Sequence, residues 1–272
     1  MEKDKKIGII GCGNMGEAIA KGVINSDAIY GGNLYLYDID KDKSEYLKSS
    51  LNANIANSSE ELVNSCNVIL LAIKPQDVEE LLKVVWHLLD SSKLVISIAA
   101  GITIKQIKKV IKEEVRVIRV MPNMAASVFR AISALCYDDY VMTEDKDLAA
   151  KIFASIGHIV EVEEAHMDAV TAISGSGPAY LFYLTEILEK SAVDMGIDKN
   201  KARKLAAETL FGSAALLKEA SGDAEALRKR VTSKGGTTEA AFRFFEEKKL
   251  GDILREGIKE AAMRAKELSE GK

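Results

Sequence analysis

Three glycines near the start of the chain have the spacing of a phosphate-binding turn. Gly11, Gly13 and Gly16 follow the apolar run Ile7–Ile10 and precede a helical pattern. Glycines let a backbone turn tightly and approach a pyrophosphate, which then lies at a helix N-terminus where amide N–H groups favour an anion. Because the turn stands between a strand and a helix, it predicts a dinucleotide site, with a plain glycine turn as the alternative. The predicted contacts here are Gly11, Cys12, Gly13, Asn14, Met15 and Gly16.

An acidic residue stands where a second strand should end. Asp38 directly follows Leu34–Tyr37, and such a site expects an acid about 20 residues after its glycines. A carboxylate there accepts the ribose hydroxyls and disfavours a 2′-phosphate. Lys41 and Lys43 are near enough to weaken that effect. We therefore expect NADH or NADPH as the cofactor, with NADH slightly favoured by Asp38; an ordinary turn residue is the alternative interpretation.

Two later strand ends should face the same crevice. In a doubly wound sheet, ligands bind outside the carboxyl ends of the strands. Small residues at these ends would let a flat nicotinamide ring lie against the backbone, although Lys74 could equally be a solvated charge. The predicted contacts at the two ends are Ala72, Ile73, Lys74, Pro75, Ala99 and Ala100.

Two segments rich in glycine and hydroxyl residues interrupt the later half of the chain, Ser174–Pro178 and Ser233–Thr238. Glycine inside a helix costs about 1 kcal/mol relative to alanine, so adjacent glycines need a reason. Both segments precede a helix start, with Thr237 or Thr238 expected as an N-cap, and helix N-termini attract anions. They are predicted to bind an anion, in the second segment through Gly235, Gly236 and their neighbours, with plain capping loops as the alternative.

The elements that must position these residues alternate in the first part of the chain. Near-continuous apolar strands separated by helices indicate a parallel sheet covered on both faces. The sequence thus predicts an α/β fold with a Rossmann-like, doubly wound, mostly parallel sheet. The predicted strands are Ile7–Ile10, Leu34–Tyr37, Val68–Ile73, Leu94–Ile98, Val115–Val120, Ala131–Tyr137 and Ile159–Val162.

Strand patterns stop after Glu163, and the rest of the chain has only helical patterns, including one from Thr238 to Leu268. We therefore expect a dinucleotide-binding domain over residues 1–163 and an all-helical domain over 164–272. The second region is very apolar for its size, which predicts pairing with a second copy of the chain.

Composition limits the function classes. A net charge of −4 and a pI of 5.6 give no basic surface for nucleic acid or an anionic membrane. No apolar run is long enough to span a bilayer, and the start of the chain is unlike a signal peptide, so a cytoplasmic protein is expected. Cys12, Cys66 and Cys136 are widely spaced and predicted to be reduced and structural, with no metal site.

Taken together, the motifs resemble those of the pyrroline-5-carboxylate reductases of proline biosynthesis, over essentially the whole chain. The resemblance implies reduction of Δ1-pyrroline-5-carboxylate to L-proline, and subunits that form dimers and commonly decamers. It rests on the segments G-C-G-N-M-G, A-I-K-P, A-A-G-I-T-I, V-I-R-V-M-P-N, A-V-T-A-I-S-G-S-G-P-A-Y and V-T-S-K-G-G-T-T-E-A.

The resemblance also implies roles for particular residues. Asn57 matches a cofactor contact, and Glu164, Ser176, Thr237 and Thr238 match a substrate pocket. Thr238 is the hydroxyl expected nearest the ring nitrogen. A protonated cyclic imine is already an electrophile, so it needs positioning and a hydrogen bond and not a strong base or a metal.

The chain departs from the family pattern at two places. Lys234 replaces a usual proline, and Met124-Ala125 replaces Thr-Pro, which should loosen both loops. One alternative is a reductase of the same fold acting on another cyclic imine or on a hydroxy acid, for which Lys190 and Asp194 have a suitable spacing. The other is a non-catalytic protein that only binds the cofactor.

Overall fold

The computed structural model describes residues 5–220 and 223–271. Within them the chain forms two compact units, which are described separately. The first contains the residues up to Ser176 together with those from Ala261 onwards, and the second contains Gly177–Glu260. The predicted domain division after residue 163 marks where strand patterns end, and it stays a prediction.

Among the described residues, eight strands form one sheet in the order β3-β2-β1-β4-β5-β6-β7-β8. Neighbouring strands are parallel, except that β7 is antiparallel to β6. The predicted mostly parallel sheet is confirmed. The strands are β1 (Ile7–Ile10), β2 (Leu34–Tyr37), β3 (Asn54–Ile55), β4 (Val68–Leu71), β5 (Leu94–Ser97), β6 (Arg116–Met121), β7 (Ala131–Tyr137) and β8 (Gly157–Glu161).

Helices connect these strands and make up the described part of the chain after β8. Those of the first part are α1 (Asn14–Asn25), α2 (Lys41–Leu51), α3 (Ser59–Ser65), α4 (Pro75–Val85), α5 (Ile104–Lys108), α6 (Thr143–Ala154) and α7 (Met167–Val170), which continues as a π-helix over Thr171–Gly175. The later ones are α8 (Gly177–Asp194), α9 (Lys199–Glu219), α10 (Ala224–Arg230), α11 (Thr237–Glu247) and α12 (Leu250–Ser269).

The central strands β1, β4 and β5 are buried along their whole length because both faces of the sheet are covered. In β4, Val68 and Leu70 pack into a core with α1, α2 and α6, whereas Ile69 and Leu71 pack into a second core with α3, α4 and α5. Successive side chains of a strand point to opposite faces. The strands β1, β4 and β5 therefore contribute to both cores, which is the reason for their nearly continuous apolar runs in the sequence.

Three features differ from the sequence-based expectation. The sheet contains β3, which was not predicted because it has only two residues, and the chain continues through the short helix α3. The helix predicted from Thr238 to Leu268 is two helices, α11 and α12. They are separated at Lys249, whose backbone is left-handed (φ 54°) although the residue is not a glycine.

The end of α12 belongs to the first unit. Gln106 Nε2 donates a hydrogen bond to the carbonyl oxygen of Ser269 (3.0 Å), and Ser269 Oγ lies 3.4 Å from Oδ2 of Asp168. Leu268 is packed so closely against Gly101 that a Cβ on Gly101 would lie 3.0 Å from the Leu268 Cβ. The first unit is therefore assembled from two separate stretches of the chain.

Among its described residues the second unit consists of helices joined by turns, without a strand, as predicted, and it carries many exposed apolar side chains. On α8 they include Leu181, Phe182, Tyr183 and Leu184, and on α9 Phe211 is 73% exposed. In the described part of the chain, no helix combines the length and apolar character needed to cross a membrane.

Candidate cofactor site

A cleft of about 900 Å³ opens at the carboxyl ends of β1, β2, β4, β5 and β6. The reversal of strand order beside β1 places it at the crevice where doubly wound sheets bind ligands. Most of the predicted cofactor contacts line it, although they come from four separate segments of the sequence. They are Gly11, Gly13, Asn14, Met15, Asp38, Ala72, Ile73, Lys74, Pro75, Ala99 and Ala100.

The glycine turn has the form that a pyrophosphate requires. Gly11 has φ +101°, and a Cβ on Gly16 would lie 1.9 Å from the carbonyl oxygen of Gly11. A Cβ on Gly13 would meet nothing within 4 Å, so open space remains beside that residue. The helix α1 begins immediately afterwards, and no side chain in the described residues caps it. Its first N–H groups are thus available to an anion, and the turn fits a dinucleotide.

Asp38 is held rigidly at the end of β2. Its Oδ2 accepts a hydrogen bond from the Cys12 backbone N–H (2.6 Å), and its Oδ1 accepts one from the Asp40 N–H (2.8 Å). The first bond joins the acid directly to the glycine turn. Each carboxylate oxygen can accept more than one hydrogen bond, so Asp38 can still accept ribose hydroxyls.

The Cys12 thiol is neutral and buried. Burial, followed by the nearby charge of Asp38, raises the pKa of Cys12 to about 12. A thiol nucleophile needs a depressed pKa, whereas burial raises that of Cys12, as expected for a structural thiol. Cys66 and Cys136 are also free and buried, which confirms the prediction of reduced, structural cysteines. Among the described residues no group of His, Cys, Asp and Glu side chains could hold a metal.

Several lining residues were not predicted. Met121 is the last residue of β6 and Pro122 follows it. The rule applied to β4 and β5 would have found them, because parallel strands end at the same edge of a sheet. Asp77 and Glu80 lie in α4 directly after Lys74-Pro75. The others are Ile10, Tyr37, Ile39, Asp40, Lys43, Ser59, Leu81 and Ile98.

Asn57 and Glu164 make contacts of a different kind. Asn57 does not line the cleft; its backbone N–H and its Nδ2 both donate to Glu61 Oε2, at 2.7 and 2.9 Å. Glu164 Oε1 accepts a hydrogen bond from the Ile104 N–H (2.6 Å) and pairs with Arg119 Nη1 (3.4 Å). Glu164 thereby anchors the start of α5, shortly after the predicted nicotinamide contacts.

The first three residues of the first glycine–hydroxyl segment, Ser174 to Ser176, belong to the first unit and lie near the cleft. Asn123 Nδ2 donates to the Ser174 carbonyl oxygen (3.1 Å), and a Cβ on Gly175 would lie 2.6 Å from the Met121 Cε. Met121 itself lines the cleft. The Ser176 N–H donates to the Thr171 carbonyl oxygen (2.8 Å) and ends the π-helix.

The second glycine–hydroxyl segment belongs to the second unit. Gly235 is left-handed (φ +75°), and its N–H donates to Glu239 Oε2 (2.7 Å). The N-cap of α11 is Gly236, and Thr237 and Thr238 lie in the first helical turn. The expectation that one of the two threonines is the N-cap was therefore wrong. Gly236 provides no side chain to cap the helix, which leaves both hydroxyls and the first amides of α11 for another partner.

Comparison with known families matches both parts of the chain. A family model described as pyrroline-5-carboxylate reductase dimerisation matches residues 164–268. A second, described as NADP oxidoreductase coenzyme F420-dependent, matches residues 6–101. The pyrroline-5-carboxylate reductase of Methanosarcina acetivorans is 35% identical over 266 residues, which cover 98% of this chain and 98% of that protein.

Solved structures agree over the same length. The pyrroline-5-carboxylate reductase of Coxiella burnetii has a TM-score of 0.90 at 31% identity, covering 97% of this chain and 98% of the other. The pyrroline carboxylate reductase of Plasmodium falciparum, solved with NADP bound, has a TM-score of 0.87 at 30% identity, covering 98% and 99% of the two chains.

Proposed function

The chain belongs to the pyrroline-5-carboxylate reductase family, and we propose on that basis that it reduces the C=N bond of Δ1-pyrroline-5-carboxylate to give L-proline with NADH or NADPH. The observation that carries the proposal is the cleft at the strand ends, where the glycine turn, Asp38 and the two small-residue strand ends meet. The intact segments at Ser176 and Thr238 support a reductase over a protein that only binds cofactor, because such a protein needs no substrate loops.

Different residues of the cleft are assigned to different parts of the cofactor. The amides after Gly13 hold the pyrophosphate, Asp38 holds the adenosine ribose, and Ala99 and Ala100 provide a flat surface for the nicotinamide. When bound, the reduced nicotinamide supplies the hydride. Asp38 slightly favours NADH, and the pyrroline-5-carboxylate reductase of Plasmodium falciparum with NADP bound keeps NADPH as the second candidate.

Substrate binding is assigned to the two glycine–hydroxyl segments. Ser176, the Thr237 hydroxyl and the first amides of α11 bind the carboxylate, and Gly235 and Gly236 leave the approach to those amides without side chains. The Thr238 hydroxyl holds the ring nitrogen in place while the imine carbon is reduced. Glu164 completes the assigned set, and its bond to Ile104 also fixes the loop that follows Ala99 and Ala100. Positioning supplies most of the rate enhancement in such a site.

The assembled protein is proposed to be a homo-oligomer. The match to a dimerisation family model and the exposed apolar side chains of α8 and α9 support at least a dimer. A decamer is the larger assembly proposed from the family resemblance, and the cytoplasm is the proposed location.

The test is oxidation of NADH and of NADPH by the purified protein with pyrroline-5-carboxylate, followed by nicotinamide absorbance and by proline analysis. Rapid oxidation with an equal amount of proline is expected. Cofactor binding without turnover would refute the proposal, and Lys234 and Met124 would be the first residues to examine. Faster turnover with another cyclic imine or a hydroxy acid would support the alternative substrate class.

A variant of Thr238 separates an enzyme from a cofactor-binding protein. Thr238→Ala should lower kcat/KM by about tenfold to a hundredfold, because one hydrogen bond to a charged group is lost. Cofactor affinity, measured by calorimetry, should stay within twofold. Thr238→Ser retains the hydroxyl and should recover most of the activity. Equal kcat/KM for the alanine and serine variants would contradict the role given to the hydroxyl.

A further inference from the structure

We propose that Asp40 is a specificity-determining residue of the cofactor site, because it pairs with Lys43 and so withholds an ammonium group from a 2′-phosphate. The proposal rests on the proposed nicotinamide dinucleotide site. It explains how the site can have a lysine near Asp38 and still favour NADH, which lacks the 2′-phosphate.

The contacts that carry the proposal lie within one short segment. Lys43 Nζ is 3.2 Å from Asp40 Oδ2, and both residues line the cleft together with Asp38. Asp40 is also tied to Asp38, since its backbone N–H donates to Asp38 Oδ1 (2.8 Å). The acid that receives the ribose, the second acid and the lysine thus form one connected group at the end of β2.

The charge of the cleft explains why the pairing matters. Among the described residues, four carboxylates and two ammonium groups line the cleft: Asp38, Asp40, Asp77 and Glu80 against Lys43 and Lys74. A phosphate is bound best by cations that have no competing anion. Lys43 has such a competitor in Asp40, which also raises the pKa of Lys43 through their hydrogen bond.

Asp40 has a structural role that the test must preserve. It is the N-cap of α2, where its Oδ1 accepts a hydrogen bond from the Asp42 N–H (3.2 Å). Asparagine caps helices about as well as aspartate. Asp40→Asn therefore removes the charge and retains the cap, whereas Asp40→Ala would remove both.

The experiment measures binding of adenosine 5′-monophosphate and adenosine 2′,5′-bisphosphate by calorimetry. These two probes differ only in the 2′-phosphate, and no turnover is needed. Asp40→Asn should shift the ratio of the two affinities about two- to fivefold in favour of the bisphosphate, because an exposed ionic contact has about that strength. The shift should shrink as salt is raised, since the groups are exposed.

A double variant decides whether the effect passes through Lys43. In a Lys43→Gln background, Asp40→Asn should shift the ratio by less than twofold. Asp42→Asn removes an equal charge from the same turn outside the cleft, and it should leave the ratio as in the unaltered protein. An equal shift with and without Lys43 would overturn the proposal in favour of simple repulsion by Asp40.

Failure of this inference can be told apart from failure of the function. If both probes bind and Asp40→Asn does not move the ratio, only the role of Asp40 is overturned. If neither probe binds the unaltered protein, the cofactor site fails, and the proposed reductase and the role of Asp40 fail together.

Discussion

Gly13 and Gly16 stand three residues apart in one turn and respond to a methyl group in different ways. Gly13→Ala places its Cβ in open space where the pyrophosphate is proposed to lie. Its free energy of unfolding should fall by no more than about 1 kcal/mol, while cofactor affinity falls at least about tenfold. Calorimetry and thermal denaturation measure the two effects.

Gly16→Ala is the matched control. Its Cβ would meet the Gly11 carbonyl oxygen at 1.9 Å, which is backbone and cannot turn aside. We expect a loss of about 1–3 kcal/mol in the free energy of unfolding. If both variants lost the same stability, or if Gly13→Ala bound cofactor normally, the assignment of the open space to a phosphate would be wrong.

The three thiols predict a pH dependence of stability. Burial raises the pKa of Cys12, Cys66 and Cys136 from 9.0 to about 12. Above pH 9.0 the thiols of the unfolded chain lose protons that the native protein keeps. The free energy of unfolding should therefore fall as pH rises between these values, by up to about 1.4 kcal/mol per pH unit for each thiol.

Urea denaturation across that pH range measures the loss, and Cys66→Ala should make it smaller. A thiol reagent gives a second readout at neutral pH. All three thiols should react slowly in the native protein and rapidly in urea, because they are buried. Fast reaction of the native protein would show that burial does not protect them.

At the scale of elements, the break between α11 and α12 can be tested directly. Lys249 holds a left-handed backbone (φ 54°), which is unfavourable for residues with a Cβ and free for glycine. Lys249→Gly should raise the free energy of unfolding by about 0.5–1 kcal/mol in urea denaturation. Lys248→Gly, at φ −83°, is the control and should lower it. A loss in both variants would count against the left-handed turn.

The strands that were predicted correctly from the sequence are those with a regular apolar pattern, which their burial in the sheet requires. Strands buried on both faces, such as β4, need apolar residues at every position, so their runs are easy to recognise. The strand β3 has only two residues, and its place at the sheet edge depends on β2, which no local pattern records. The break at Lys249 was missed because a lysine there gives no local signal.

The same distinction applies to the cofactor cleft. Its glycine turn and strand ends were predicted because parallel strands end at one edge. The ion pair of Asp40 and Lys43 was not, since a sequence does not specify the rotamers of two exposed side chains. The predicted contact at Asn57 has its side chain bonded to Glu61, and its cofactor role stays a prediction.

At the scale of the whole molecule, the exposed apolar side chains of the second unit predict the assembly. Phe211 is 73% exposed on α9, and a charge there would be costly in a buried interface. Phe211→Glu should therefore lower the mass measured by sedimentation equilibrium. Tyr30→Glu is the matched control, because Tyr30 is 75% exposed in the first unit, and it should leave the mass unchanged. The same mass for both variants would exclude Phe211 from the interface.

The return of α12 to the first unit has a consequence for synthesis on the ribosome. Residues 177–260 must all be translated before Leu268 and Ser269 exist to contact Gly101 and Gln106. A nascent chain that stops at residue 176 contains all strands of the sheet and the glycine turn. It lacks the contacts that Leu268 and Ser269 make with the region after β5. The first unit therefore begins to be translated before the second, but it acquires its full set of contacts only after the second unit has been translated.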